Sequence, residues 1–257
     1  MSRRGKGYVD ARYLTEVSRS TAGLKELTYR WMGAREGAVL LDAGCGPGED
    51  TLALAQRVGP SGRVVGVDAD EGLLRVARRR ARAAGFSHVS HRKAVLPRLP
   101  FRDGTFDGVR SERVFQHLTR PLESLREVVR VTKVGGRVVL MEPDWGTLVV
   151  DAGDAALERA VLSAGAEHAL NNGYAGRRLL GDFVRVGLTQ VEVELIPIRY
   201  PSLAAADHYI LFGFEEAARR RVGARAMGRW RRALEAAEAE GRFFAAFQYV
   251  LAAGVVG

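Results

Sequence analysis

The 257 residues hold 39 lysines and arginines against 30 acids, a formal charge of +9, and 47% of them are hydrophobic. That supports an ordinary globular core and, at this length, one α/β domain with an elaborated end. The single cysteine, Cys45, excludes an internal disulfide and with it an exported, disulfide-stapled fold. Met1-Ser2-Arg3-Arg4-Gly5-Lys6 leads into no apolar run, and no 18 consecutive residues are apolar, so a soluble cytoplasmic chain with no membrane partner is expected. Only Lys6, Lys25, Lys93 and Lys133 are lysine; the other basic residues are arginine. Set beside abundant Ala, Gly and Val, this reads as compositional bias more than as a sign of nucleic acid.

Residues 8–36 read as a helical lead-in. Val9, Tyr13 and Val17, then Leu24, Leu27, Trp31 and Met32, recur at helical spacing, and Gly23 is placed to split the run. Its aromatics, Tyr8, Tyr13, Tyr29 and Trp31, either pack on the core or cover a ligand. Ala38 to Leu41 is a short apolar run that suits a buried parallel strand. Asp42 closes it, Gly44, Gly46 and Gly48 alternate, and a helical pattern opens at Leu52, Leu54 and Ala55. Strand, glycine turn and helix make a nucleotide cradle: glycines let a ligand approach the backbone, and the helix start offers free N–H groups. A dinucleotide fingerprint needs glycine where Glu49 stands, which argues against a nicotinamide dehydrogenase. Cys45 serves as a small filler in the turn.

Asp42-x-Gly44-x-Gly46-x-Gly48 resembles motif I of the class I S-adenosylmethionine (SAM)-dependent methyltransferases. In that family the turn hugs the methionine part of the cofactor. The resemblance therefore implies cofactor contacts from Asp42, Gly44, Cys45, Gly46, Gly48 and Thr51, and from Tyr13 of the lead-in. The second strand, Arg63 to Asp68, ends in an acid 20 residues after Gly48, placed to accept two hydrogen bonds from a ribose diol, with Ala69 beside it. Asp70 caps the helix Glu71 to Ala84, whose arginines form a solvated face. His88 to Ala94 offers the third strand, its histidines on the strand or the surface. Leu99-Pro100-Phe101 matches the family, and counting back four places Val95 where the family has an adenine-binding acid. The backbone of Val95 and Leu96 is then left to read the adenine edge.

Asp103 to Val109 resembles the family's turn into the fourth strand, which ends near Arg110-Ser111, with Ser111 on the cofactor. His117 is the general-base candidate, since its free pKa lies near neutrality, with Gln116 to orient substrate; the alternative for His117 is packing at the next helix start. Leu122 to Val131 is amphipathic, and Gly135-Gly136 leads into strand five, ending at Glu142. There Glu142 or Asp144 can pair with His117 or hold a polar substrate group, and Trp145 can wall the pocket.

Residues 147–177 read as mostly helical, and Arg177 to Val186 as a helix ended by Gly187. Thr189 to Ile196 alternates as a strand, 203–240 is a helical insertion, and Arg242 to Ala253 is a last strand. Tyr209, Phe212 and Phe214 line a substrate cavity or pack the core. The arginines from Arg219 to Arg232 read as a solvated face, since no aromatics are interleaved to stack bases.

The resemblance implies a seven-stranded, mostly parallel sheet with helices on both faces, a final antiparallel strand, an N-terminal helical flap (1–36), a cofactor core (37–145) and a substrate-side half (146–257) with a helical lid (203–240). It further implies methyl transfer from SAM, leaving S-adenosyl-L-homocysteine, to oxygen or carbon of a small molecule such as a quinone-like or secondary metabolite. The substrate side would be lined by Tyr8, Trp145, Tyr209 and Phe212. No metal and no nucleic-acid partner is expected, and a homodimer is allowed. The rival readings are an RNA or protein methyltransferase and a non-catalytic SAM-binding regulator.

Overall fold

The computed structural model describes residues 22–257, so the lead-in positions Tyr8 and Tyr13 lie outside the described residues. Helix α1 (Ala22–Trp31) opens the described chain with Gly23 in its first turn. Strand β1 (Val39–Ala43) follows, buried along nearly its whole length as its apolar run requires. Helix α2 (Glu49–Val58), β2 (Arg63–Asp68), α3 (Glu71–Ala83) and β3 (Val89–Lys93) continue the alternation. Next come β4 (Phe106–Glu112), a single 3₁₀ turn (Phe115–His117), α4 (Pro121–Val131) and the long β5 (Thr132–Val150). Helices α5 (Ala155–His168) and α6 (Ala175–Arg185) lead to β6 (Thr189–Arg199). After it stand the short α7 (Leu203–Ala206), a π turn (Asp207–Leu211), α8 (Phe212–Val222), α9 (Ala224–Ala239) and β7 (Ala245–Val255). No helix among the described residues is long and apolar enough to cross a membrane.

The strand order is β3-β2-β1-β4-β5-β7-β6. β1 pairs in parallel with β2 on one side and β4 on the other, Leu41 lying opposite both Val65 and Val109. β7 runs antiparallel to β5: Gly135 N donates to Val256 O (2.8 Å), while far along β5 Asp151 N donates to Phe244 O (3.0 Å). The expected mixed sheet with a reversed final strand is therefore present. Its order turns back at β1, and the carboxyl ends of β1 and β4 diverge there into a crevice, the usual ligand position in such sheets.

The chain packs as two compact units: Met1–Met141 with Leu179–Glu194 and Leu251–Gly257, and Glu142–Arg178 with Leu195–Val250. β5, β6 and β7 each give a part to both. The second unit is built on rings. Trp145 stacks on Phe247 (4.7 Å between centroids), Phe247 on Tyr200 (5.5 Å) and Tyr200 on Tyr209 (5.7 Å), while Phe214 meets Trp145 edge-on. Buried Trp230 donates its Nε1–H to Glu215 (2.9 Å), which satisfies the one polar atom of that side chain.

One boundary departs from the sequence reading. β5 does not end at Glu142 but runs on to Val150, into the start of the stretch expected to be mostly helical (147–177). Thr147, Val149 and Val150 are β-branched and favour the extended chain; Leu148 and Val150 are buried. The helix waits for Asp154, whose carboxylate accepts from Leu157 N (3.0 Å).

Two glycines separate helix propensity from packing. A Cβ on Gly165 in α5 would lie 2.1 Å from the ring of fully buried Phe214, whereas one on Gly181 in α6 meets nothing within 4 Å. Gly165→Ala should therefore lower stability by about 1–3 kcal/mol, and Gly181→Ala should raise it by roughly 0.5–1 kcal/mol. Urea unfolding of both variants checks this; stabilisation by Gly165→Ala would contradict the packing described.

Candidate functional site

The crevice beyond β1, β2 and β4 holds a cavity of about 430 Å³ lined entirely by the first unit. One wall is the turn Gly44-Cys45-Gly46-Pro47. Gly44 (φ 86°), Gly46 (φ 51°) and Gly48 (φ 87°) all take the left-handed backbone that glycine adopts freely. At Gly44 the space is also closed, since a Cβ would sit 2.1 Å from Val114 Cγ2. The turn is pinned to β2 by Gly44 N and Cys45 N, which both donate to Val67 O (2.7 and 2.9 Å).

Asp68 ends β2 on the lining. Its Oδ2 accepts from Gly46 N and its Oδ1 from Asp70 N, each at 2.9 Å. Burial pushes its carboxyl above the ordinary range, and these N–H bonds only partly pull it back. Asp70 caps α3, its Oδ1 accepting from Gly72 N (2.6 Å) and Leu73 N (3.2 Å). Ala69, Leu73, Val95, Leu96 and Leu99 form an apolar wall next to Asp68.

Opposite lies a knot of charge. Arg110, 1% exposed in the middle of the sheet, donates from Nη2 to Glu112 (2.6 Å) and from Nη1 to Asp42 (3.1 Å), with Asp50 also 3.1 Å away. Lys25 reaches across from α1 to Asp50 (2.6 Å) and Glu112 (3.3 Å), and the Tyr29 hydroxyl donates to Asp50. Burial pushes the Asp50 carboxyl up, but Arg110 and Lys25 prevail and hold it well below the usual range. Burial prevails at Asp42 and pushes its carboxyl up against the pull of Arg110. Lys25, Asp50, Arg110 and Glu112 all line the cavity.

The third wall follows β4. Arg113 takes a left-handed backbone (φ 58°), its N–H donating to Met141 O (3.0 Å). The chain then winds into the 3₁₀ turn that brings His117 to the lining. Burial, with Arg113 nearby, lowers the His117 pKa to about 4, so the imidazole is neutral at pH 7.

Residues 34–173 match the family described as Methyltransferase domain. The chain belongs to that family. An uncharacterized transposon-encoded protein of Streptomyces fradiae is 35% identical over 203 residues, which cover 79% of this chain and 57% of the relative. A demethylmenaquinone methyltransferase of Anoxybacillus flavithermus is 37% identical over 122 residues, 48% of this chain and 52% of the relative. The chain thus spans about half the length of the curated relatives it matches. A solved structure of geranyl diphosphate C-methyltransferase from Streptomyces coelicolor, with Mg²⁺, geranyl diphosphate and S-adenosyl-L-homocysteine, superposes with a TM-score of 0.60 at 21% identity, covering 100% of this chain and 90% of that one. That likeness establishes the class I methyltransferase fold.

Within this methyltransferase domain, Gly44, Cys45, Gly46, Asp68, Ala69, Val95, Leu96 and His117, all named from sequence, line the one cavity. Other named residues stand behind it. Asp42 sits under Arg110, and Ser111 Oγ ties β4 to β1 by donating to Ala43 O (2.6 Å). Gly48 begins α2, where a Cβ would meet Ala77 at 2.8 Å. Gln116 is buried, its Nε2 donating to Arg113 O (3.2 Å). Burial pushes the Cys45 thiol well up, which leaves it protonated and inert. Glu142, Trp145, Tyr209 and Phe212 belong to the second unit: Glu142 is fully buried, Trp145 and Tyr209 are in the ring stack, and Phe212 is 70% exposed. Lys25, Asp50, Arg110 and Glu112 were not named from sequence. Their one signal was Arg110 itself, a charge inside a strand, which must find buried partners.

His91 is not a surface histidine. It is buried, with Nε2 2.8 Å from Thr51 Oγ1, and Thr51 in turn donates to Gly48 O (2.8 Å), so the pair braces the glycine turn from behind. Burial lowers the His91 pKa to about 4. The unfolded chain then takes up the proton first, so this stabilisation is whole above pH 6.5 and is lost as pH falls towards 4. Across that window wild type should lose on the order of 2–3 kcal/mol relative to His91→Gln. Urea midpoints of the two proteins measured at pH 7.5 and pH 4.5 check this; a constant difference would contradict it.

Proposed function

We propose that this chain transfers a methyl group from SAM to oxygen or carbon of a small-molecule acceptor. The observation that carries the reading is the sharing of one cavity by the left-handed glycine turn, the Asp68 carboxylate and the neutral His117 imidazole. Its volume is that of a small-molecule site. Membership of the methyltransferase family supports the reaction, and the names of the relatives, on demethylmenaquinone and geranyl diphosphate, support a quinone-like or isoprenoid acceptor.

The residues suit that cofactor. Each Asp68 oxygen accepts one N–H in the structure and retains capacity for a hydroxyl of the ribose. The apolar wall of Leu73, Val95 and Leu99 suits a planar base, with Val95 in place of a carboxylate. Asp50 and Glu112 offer acceptors to an ammonium group, and Lys25 and Arg110 balance their charge. When bound, SAM supplies a methyl already activated by its sulfonium. The chain has to hold the acceptor in line, where orientation alone is worth about 7–11 kcal/mol, and to remove its proton. A neutral His117 is in the protonation state that can take that proton.

Titration calorimetry with SAM and S-adenosyl-L-homocysteine tests the cofactor: Asp68→Ala should weaken both by about 10–100-fold, for the loss of one to two charge-assisted hydrogen bonds. Unchanged affinity would sink the assignment. His117→Ala should keep SAM affinity while slowing single-turnover methylation of a demethylated quinone by about 10²–10⁴-fold. A full rate would remove His117 from the chemistry, and SAM binding with no transfer to any acceptor would favour the regulatory reading.

A further inference from the structure

We propose that the outer faces of α8 and α9 form a docking surface for an anionic lipid bilayer. This goes beyond the methyl-transfer reading and does not rest on it. From Phe212 to Ala239 the sequence carries seven arginines and four glutamates. The structure sorts them. Arg231 is consumed by Asp207, Glu215 and Glu235, and Arg221 pairs with Glu167 (3.1 Å). Arg219, Arg220, Arg225, Arg229 and Arg232 are exposed, and their side chains make no hydrogen bond or ion pair among the described residues. Of the glutamates, Glu215 is buried against Trp230 and Arg231, Glu235 is held by Arg231, and Glu238 accepts from Leu203 N (3.2 Å). Glu216 and Glu238, which pair with no arginine, are left to offset the five free arginines.

Their spacing makes this a face. Arg225, Arg229 and Arg232 stand at i, i+4 and i+7 on α9, one stripe about 10 Å long. Arg219 lies two turns from Phe212 on α8, so the two share a stripe. Phe212 is 70% exposed. An exposed aromatic ring on the same stripe as the unpaired Arg219 suits a headgroup boundary, where the ring enters the acyl edge and the cations meet anionic lipid. A polynucleotide is matched less well, because no aromatic is interleaved among the arginines to stack on bases.

Co-sedimentation of the full chain with phosphatidylcholine vesicles, with and without phosphatidylglycerol, tests this. Binding is expected only with phosphatidylglycerol present, at low salt, and is released at high salt. Each arginine should contribute roughly fivefold, so Arg225→Glu/Arg229→Glu/Arg232→Glu should cut partitioning about 100-fold or more, with no fall in melting temperature because no partner is lost. Phe212→Ser should weaken binding several-fold. No sedimentation, equal sedimentation with neutral vesicles, wild-type binding by either variant, or tighter binding to a duplex DNA than to the vesicles would each overturn the proposal, the last in favour of a nucleic-acid backbone as partner.

Discussion

A charged arginine inside the central sheet is the constraint on which the first unit depends. Arg110 is buried beside the ring of Tyr29 (5.4 Å), and three carboxylates meet its guanidinium. Such a buried group costs several kcal/mol to desolvate, and stripping it of a partner typically costs about 3–5 kcal/mol. The need to pair it draws separate elements to one point: α1 through Lys25 and Tyr29, β1 through Asp42, the first turn of α2 through Asp50, and β4 through Glu112. The glycine turn spans the gap between Asp42 and Asp50, so the knot fixes both of its ends. An apolar residue in place of Arg110 would leave Asp42 buried without this cationic partner.

The turn is braced from its other side too. Val67 O takes two of its amides, Asp68 takes a third, and the Thr51–His91 pair supports the carbonyl of Gly48. A Cβ on Gly66 would lie 2.8–2.9 Å from Cys45, His91 and Thr51, so the packing behind the turn admits no side chain there. A ligand entering the cavity meets a backbone already held in shape, which lowers the ordering cost of binding.

The parts of this site that could be read from sequence are those set by local chemistry. The apolar run of β1, the alternating glycines, the acid ending β2 and the capping role of Asp70 each follow from spacing along a few residues. The Lys25–Asp50–Arg110–Glu112 knot does not, because Lys25 and Asp50 are 25 positions apart and Arg110 lies a further 60 along the chain, so only the fold brings them together. His91 does lie on a strand, β3, but its burial and its brace on Thr51 were not legible because that partner lies 40 positions away. The extension of β5 to Val150 is a case of β-branched chain winning over helical spacing. Phe214, read as either core or cavity wall, and Trp145, read as a pocket wall, form part of a ring-built core in the second unit.

Asp68 joins the fold to the proposed chemistry, since it closes the turn through Gly46 and faces the cavity at the same time. A crystal structure with S-adenosyl-L-homocysteine tests that double role most directly. The account predicts both ribose hydroxyls within hydrogen-bonding distance of the Asp68 carboxylate and the adenine against Leu73, Val95 and Leu99. A nucleoside bound elsewhere, or with its ribose turned away from Asp68, would contradict it.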